Sequence, residues 1–216
     1  QKTGPDGCLY ILDWYDRYHC YQDANRDPMG IDRLKGRLYR VRYKDSPRAP
    51  QFDLSKETDA QLIERLHSGN VLLRDLAQRI LIERAAPATR PLLEKLVLDT
   101  SAPRKTRLHA LWSLVGTGAL DVAFHQRLLA HDDPTFRAWG VRAAANFHRV
   151  DPAIAERVTA LADDAAADVK LQVAIAARKI EGIDPLPLLL KTLATAGDDP
   201  LIPNIVWQNL HPLLET

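Results

Sequence analysis

RLHALWSL (Arg107–Leu114) sets a pattern that four other segments repeat. They are RDLAQRIL from Arg74, RAWGVRAA from Arg137, KLQVAIAA from Lys170 and PNIVWQNL from Pro203. Their first residues step by 33, 30, 33 and 33 positions. Three residues on stands Ala77, Ala110, Gly140, Val173 or Val206. Four further stands Leu81, Leu114, Ala144, Ala177 or Leu210. This spacing puts one stripe on one helix face, where small residues let a neighbouring helix approach closely.

Working outward, each segment follows another amphipathic stretch. These are Asp59–His67, Thr89–Leu98, Leu120–Ala130, Pro152–Ala162 and Pro187–Ala194. Asp132-Asp133-Pro134, Asp151-Pro152 and Asp199-Pro200 carry helix-start chemistry, an Asp cap before a Pro in the first turn. The expected fold is mainly α, with about five helix pairs at a period of about 32 residues and a short N-terminal β segment. The leading Arg and Lys residues are expected to brace turns by pairing with Asp of the same or the next repeat. Trp112, Trp139 and Trp207 are expected in the core, and the scattered histidines at surface or packing positions.

The period changes near Phe52. Before it, Cys8–Trp14 (CLYILDW) and Gly36–Lys44 (GRLYRVRYK) read as strands. Cys8–Trp14 is apolar on both faces, as in a central strand. In the second strand Tyr39, Val41 and Tyr43 face one way, and Arg40, Arg42 and Lys44 the other. The basic side is expected to be the solvated face of an edge strand. Two strands alone cannot bury their apolar faces. The expected organisation is a β-sheet fragment over residues 1–44, a Pro-containing linker over 45–57 and helical repeats over 58–216.

Composition narrows the function classes. The 216 residues are 46 % hydrophobic and 26 % charged, with a formal net charge of +1. That balance fits a folded protein and speaks against a general nucleic-acid binder. No apolar run reaches the roughly 18 residues needed to span a bilayer. Gln1-Lys2-Thr3-Gly4 shows neither an initiator Met nor an apolar leader. Cys8 and Cys20 are the only cysteines, and read either as a disulfide or as two thiols.

Two resemblances follow from these residues. The helix pairs, with Asp and Pro in their turns and Arg or Lys early in the second helix, resemble HEAT repeats, with armadillo and related two-helix solenoids close by. The motif GPDG-x-LY-x-x-DWYD, a loop bearing His and Cys, and then GRLYRV resembles the last blade of glucose/sorbosone-dehydrogenase-like β-propellers. It is most similar to planctomycete and verrucomicrobial proteins described as membrane-bound dehydrogenase-like and haem-binding. In that family a propeller precedes HEAT repeats and a c-type cytochrome domain. The CxxCH cytochrome motif is absent here.

The resemblance implies an extracytoplasmic parent protein, periplasmic or membrane-associated. Haem c or a quinone is implied for that parent only. The implied partners are the rest of the propeller, a cytochrome domain, and a protein on the concave face of the solenoid. One functional expectation is a non-catalytic scaffold arm. The other is an enzyme fragment whose loop contributes to oxidation of a sugar or alcohol and passes electrons to the cytochrome.

The loop after the first strand holds the candidate chemistry. Asp13, His19 and Asp23 are the candidate catalytic residues, with Asp16 beside them and His19 as a general base or metal ligand. The plainer and favoured reading is that Asp13 and His19 tie the loop to neighbouring blades by hydrogen bonds. DANRDPMGID (Asp23–Asp32) offers Asp23, Asn25, Asp27 and Asp32 as hard oxygen ligands for calcium. It departs from an EF-hand, with Pro28 at the glycine position and Leu34 in place of the last Glu. A loop of this composition is also a turn-former.

Overall fold

A computed structural model describes residues 1–13 and 36–214. The protein is mainly helical, with one small antiparallel sheet. It divides into two compact units, Gln1–Arg84 and Ala85–Thr216.

The first unit holds strands β1 (Lys2–Thr3), β2 (Leu9–Asp13) and β3 (Arg37–Val41), then helices α1 (Asp59–Arg65) and α2 (Val71–Arg84). The strand order is β1-β2-β3, so β2 is central. β1 is too short to have shown any periodicity in the sequence. Leu9 pairs with Val41, Ile11 with Tyr39 and Asp13 with Arg37, sharing one face. Tyr10–Arg40 and Leu12–Leu38 share the other.

The expected orientation of β3 is corrected here. Arg40 turns inward, and its Nε donates to Asp6 Oδ2 at 2.6 Å. Its Nη2 donates to the carbonyls of Ser46 and Pro47 at 2.8 and 2.7 Å. Tyr39 and Val41, on the side expected to be covered, are exposed. Desolvation works against ionisation of Asp6. The Cys8 N–H, Arg40 and the Tyr10 hydroxyl outweigh it and hold the carboxyl at about 2. A buried acid in the turn before β2 thus decides which side of β3 faces in.

The sheet leaves much apolar surface open. Leu12 is 75 % exposed and Leu38 65 %. β3 has no strand on its far side among the described residues.

α1 begins with a capping box. The Gln61 N–H donates to Thr58 Oγ1 at 3.3 Å, and the Thr58 N–H donates to Gln61 Oε1 at 2.8 Å. α1 packs on α2. The sheet and this helix pair belong together, because Asn70 Nδ2 donates to the carbonyls of Gly4 and Pro5 at 2.9 and 3.1 Å. Arg84, at the end of α2, reaches back to the Ser55 and Glu57 carbonyls and to Asp59 Oδ1.

The second unit contains α3 (Arg90–Leu98), α4 (Arg104–Thr117), α5 (Val122–Leu129), α6 (Pro134–Phe147) and α7 (Pro152–Ala160). It ends with α8 (Ala167–Ala176), α9 (Pro185–Ala194) and α10 (Ile202–Leu210). Its helices pack as pairs, α3 on α4, α5 on α6 and α9 on α10. Alternate helices also touch: α5 on α7, α6 on α8 and α8 on α10. The core is the stripe set by the repeating segments, with Val141, Ala144, Val173, Ala177 and Val206 buried.

Asp133 and Asp151 cap α6 and α7, each with Pro at the first helical position. Asp184 caps α9 in the same way, and Asp121 caps α5 without a following Pro, two caps that lay outside the sequence expectation. α10 starts at Ile202, two residues beyond Pro200. Asp199 still accepts from the Leu201 and Ile202 N–H groups.

Candidate functional site

The residues expected to carry chemistry are only partly placed. Asp13 ends β2 and lies 3.8 Å from Arg37 Nη1 across the strand pair. Cys8 is buried. His19, Asp23, Asn25, Asp27, Asp32 and Cys20 all lie outside the described residues. Among the described residues no group of three His, Cys, Asp or Glu side chains is arranged to hold a metal.

What the structure does assemble is a ladder of polar contacts across the helix pairs of the second unit, with one similar contact inside the first. Arg74 Nη1 donates to the Ser68 carbonyl at 2.6 Å. Arg107 Nε donates to the Val97 carbonyl at 2.7 Å. Arg137 Nη1 donates to the carbonyls of His131 and Asp132 at 2.7 and 2.8 Å. Its Nε and Nη2 grip Asp164 at 2.7 and 2.8 Å, a two-pronged contact into the next repeat. Lys170 Nζ donates to the Thr195 carbonyl. These leading residues brace turns as expected, but only Arg137 does so through an Asp; Arg74, Arg107 and Lys170 reach backbone carbonyls instead.

Further rungs join the same levels. Arg104 reaches Asp133 at 2.6 Å, Arg149 reaches Glu181 at 2.7 Å, and Lys191 reaches Asp163 at 2.5 Å. His148 ends α6 at φ 60°, an uncommon conformation for a side chain with a Cβ. Two contacts hold it there: its Nδ1 lies 2.8 Å from the Lys179 carbonyl, and its own carbonyl accepts from the Glu181 N–H at 2.9 Å.

One rung carries a pH prediction. Arg104 donates to Asp133 and holds the carboxyl at about 2, with the Thr135 N–H adding to the pull against burial. A carboxylate with a lowered folded pKa stabilises the fold fully above its ordinary value near 3.8. That stability drains as pH falls towards about 2. Half-exposed Arg104 screens the pair, so the expected contribution is about 1–2 kcal/mol. The acid limb of a urea-midpoint-against-pH curve should therefore flatten in Asp133→Asn. A variant with an unchanged acid limb would show that the pair is not coupled to folding.

Two exposed features of the second unit bear on binding. α6 and α8 present Trp139, Arg142, Asp168 and Gln172 around a cleft of about 190 Å³. Arg142 lies over the Trp139 ring at 4.7 Å, and Trp112 stands 5.6 Å from Trp139. The expectation that all three repeat-domain tryptophans are core is corrected, for Trp112 and Trp139 are half-buried and Trp207 is 54 % exposed. Between α7 and α9 a second cleft of about 520 Å³ has apolar walls, Val150, Ile183 and Leu188, and a rim with Glu156 and Asp184.

No described helix is long and apolar enough to cross a membrane. The chain matches no protein-family model, no curated protein and no solved structure.

Proposed function

We propose that this chain is a scaffold, a HEAT-like α-solenoid arm that follows the last blade of a β-propeller. The parent is an extracytoplasmic dehydrogenase-like protein, and the arm holds its partners in place without doing chemistry itself. The observation that carries the proposal is the register of the polar ladder. Arg104–Asp133, Arg137–Asp164 and Arg149–Glu181 each link groups about one repeat apart. Such nearest-neighbour coupling is how a solenoid holds its repeats together.

The open sheet supports the other half of the proposal. Leu12 on β2 and Leu38 and Val41 on β3 are exposed, with exposed Tyr43 just beyond β3. Surface of this kind is what a strand set displays when more sheet belongs against it. The half-buried Trp139 with its stacked Arg142 supports an interaction role for the second helices, since Trp and Arg dominate binding hot spots.

The test uses the parent protein. His19→Ala/Asp23→Ala in the full-length chain should keep wild-type turnover of a sugar or alcohol with a dye acceptor. Loss of turnover with folding intact would replace the scaffold by the catalytic-loop alternative.

A further inference from the structure

The imidazole of His131 faces two donors at once. The Asp133 N–H points at Nδ1 from 2.9 Å, and Arg107 Nη2 stands 2.8 Å from Nε2. Arginine cannot accept, and neither can a backbone N–H. A neutral imidazole has one acceptor nitrogen and one N–H, so it satisfies one of these donors and opposes the other. A protonated ring satisfies neither. The ring is also clamped, stacked at 4.5 Å on Phe136, which itself lies 4.7 Å under the Arg107 guanidinium.

We propose that His131 is an acid-operated latch on the junction between α4 and α6. In the neutral state it gives the junction one good hydrogen bond and a place in the Arg107–Phe136 stack. When a solvent proton binds the remaining ring nitrogen, the last acceptor disappears and a positive charge is set against Arg107. The ring then leaves its slot, and Arg107 keeps the Val97 carbonyl and the face of Phe136.

The charged groups around the ring fix the direction of release. Arg107 on α4 repels the imidazolium. Asp132 and Asp133 attract it from its own turn. The Asp133 carboxylate is already engaged by Arg104 and by the Thr135 N–H, which leaves the exposed Asp132 as the receiving carboxylate. Arg137 on α6 binds the His131 carbonyl and so anchors the backbone while the side chain moves. Burial, and then Arg107, lower the ring's affinity for a proton below the ordinary histidine value. A base with a lowered folded pKa stabilises the fold when neutral. That stability is present above about 6.5 and is lost as pH falls from there towards the lowered value.

The experiment is a pH titration from 8 to 4 of the whole chain by long-range proton–nitrogen correlation of the histidine rings. Amide exchange is followed in parallel. His131 should titrate below ordinary histidine. Over that window, amides at the α4–α6 junction should lose up to about tenfold in protection per pH unit, relative to α9 and α10. In His131→Asn the extra loss should vanish, because no titrating group remains. Should that variant not fold, Arg107→Gln decides, since removing the cation must raise the His131 titration midpoint. His131 titrating at or above the ordinary value overturns the latch. So does an extra loss that survives in His131→Asn, or a midpoint unmoved in Arg107→Gln.

Discussion

Arg137→Ala is expected to cost about 3–5 kcal/mol of unfolding free energy, read from urea midpoints at constant slope. Three features set that size. The side chain makes four contacts, two to turn carbonyls and two to Asp164. Arg137 and Asp164 are well buried, at 17 % and 6 % exposure. Truncation strands the Asp164 carboxylate, which Arg137 and the Ala166 N–H together hold below its ordinary range against the cost of burial. An unpaired buried charge costs more than the pair gains. Arg149→Ala is the control, because Arg149 and Glu181 are bonded at 2.7 Å yet 85 % and 58 % exposed. Its expected cost is under about 1 kcal/mol. Equal costs for the two variants would mean that burial does not decide the strength of a rung. Arg137→Lys should fall between them, since an ammonium cannot form the two-pronged grip.

Gly140→Leu should cost at least about 3 kcal/mol, and Gly140→Ala clearly less. Gly140 lies inside α6, where glycine is intrinsically unfavourable by about 1 kcal/mol relative to alanine. Its place is explained by what lies across from it. A Cβ there would stand 2.9 Å from Leu129 Cδ2 and 3.4 Å from Leu128 Cγ. Both leucines are fully buried, so their side chains have little room to yield. His125 Nε2 lies 2.8 Å from the Gly140 carbonyl, a further tie between α5 and α6. Gly140→Ala therefore weighs a helix-propensity gain against a tight methyl, whereas Gly140→Leu can only push α5 away from α6. Calorimetric midpoints of the two variants provide the check. A Gly140→Leu protein as stable as the wild type would show that the α5–α6 contact can repack.

Much of the helical architecture was readable beforehand because its signal is local and repeated. Ala77, Ala110, Gly140, Val173 and Val206 recur at one offset, and all five are buried. The Asp–Pro starts of α6 and α7 were legible for the same reason: a cap acts within three residues of itself. The strands were legible as strands but not in their orientation. Alternation separates the two faces of β3, yet both faces of so small a sheet carry apolar and basic side chains. Asp6, 34 residues from Arg40, made the choice.

Trp207 shows the limit most clearly. It stands four residues after Pro203, the offset that holds buried Leu111, Val141 and Ala174 in three of the four earlier repeats and half-buried Gln78 in the first. On α10 the same offset stays open, with the His211 ring 5.3 Å away. Identical local sequence geometry thus has opposite fates, depending on whether a neighbour lies across it.

The sequence by itself determined the helix pairs, their period, the Asp–Pro caps of α6 and α7 and the stripe that faces inward. These follow from periodicity and short-range hydrogen bonding, which a linear chain displays directly. Only the tertiary structure decided that Arg107 meets a histidine where Arg137 meets an aspartate, and that Arg40 faces in. It also decided that two donors converge on the ring of His131. Those outcomes depend on which groups 24 to 34 residues apart come within hydrogen-bond reach, and no local pattern records that distance.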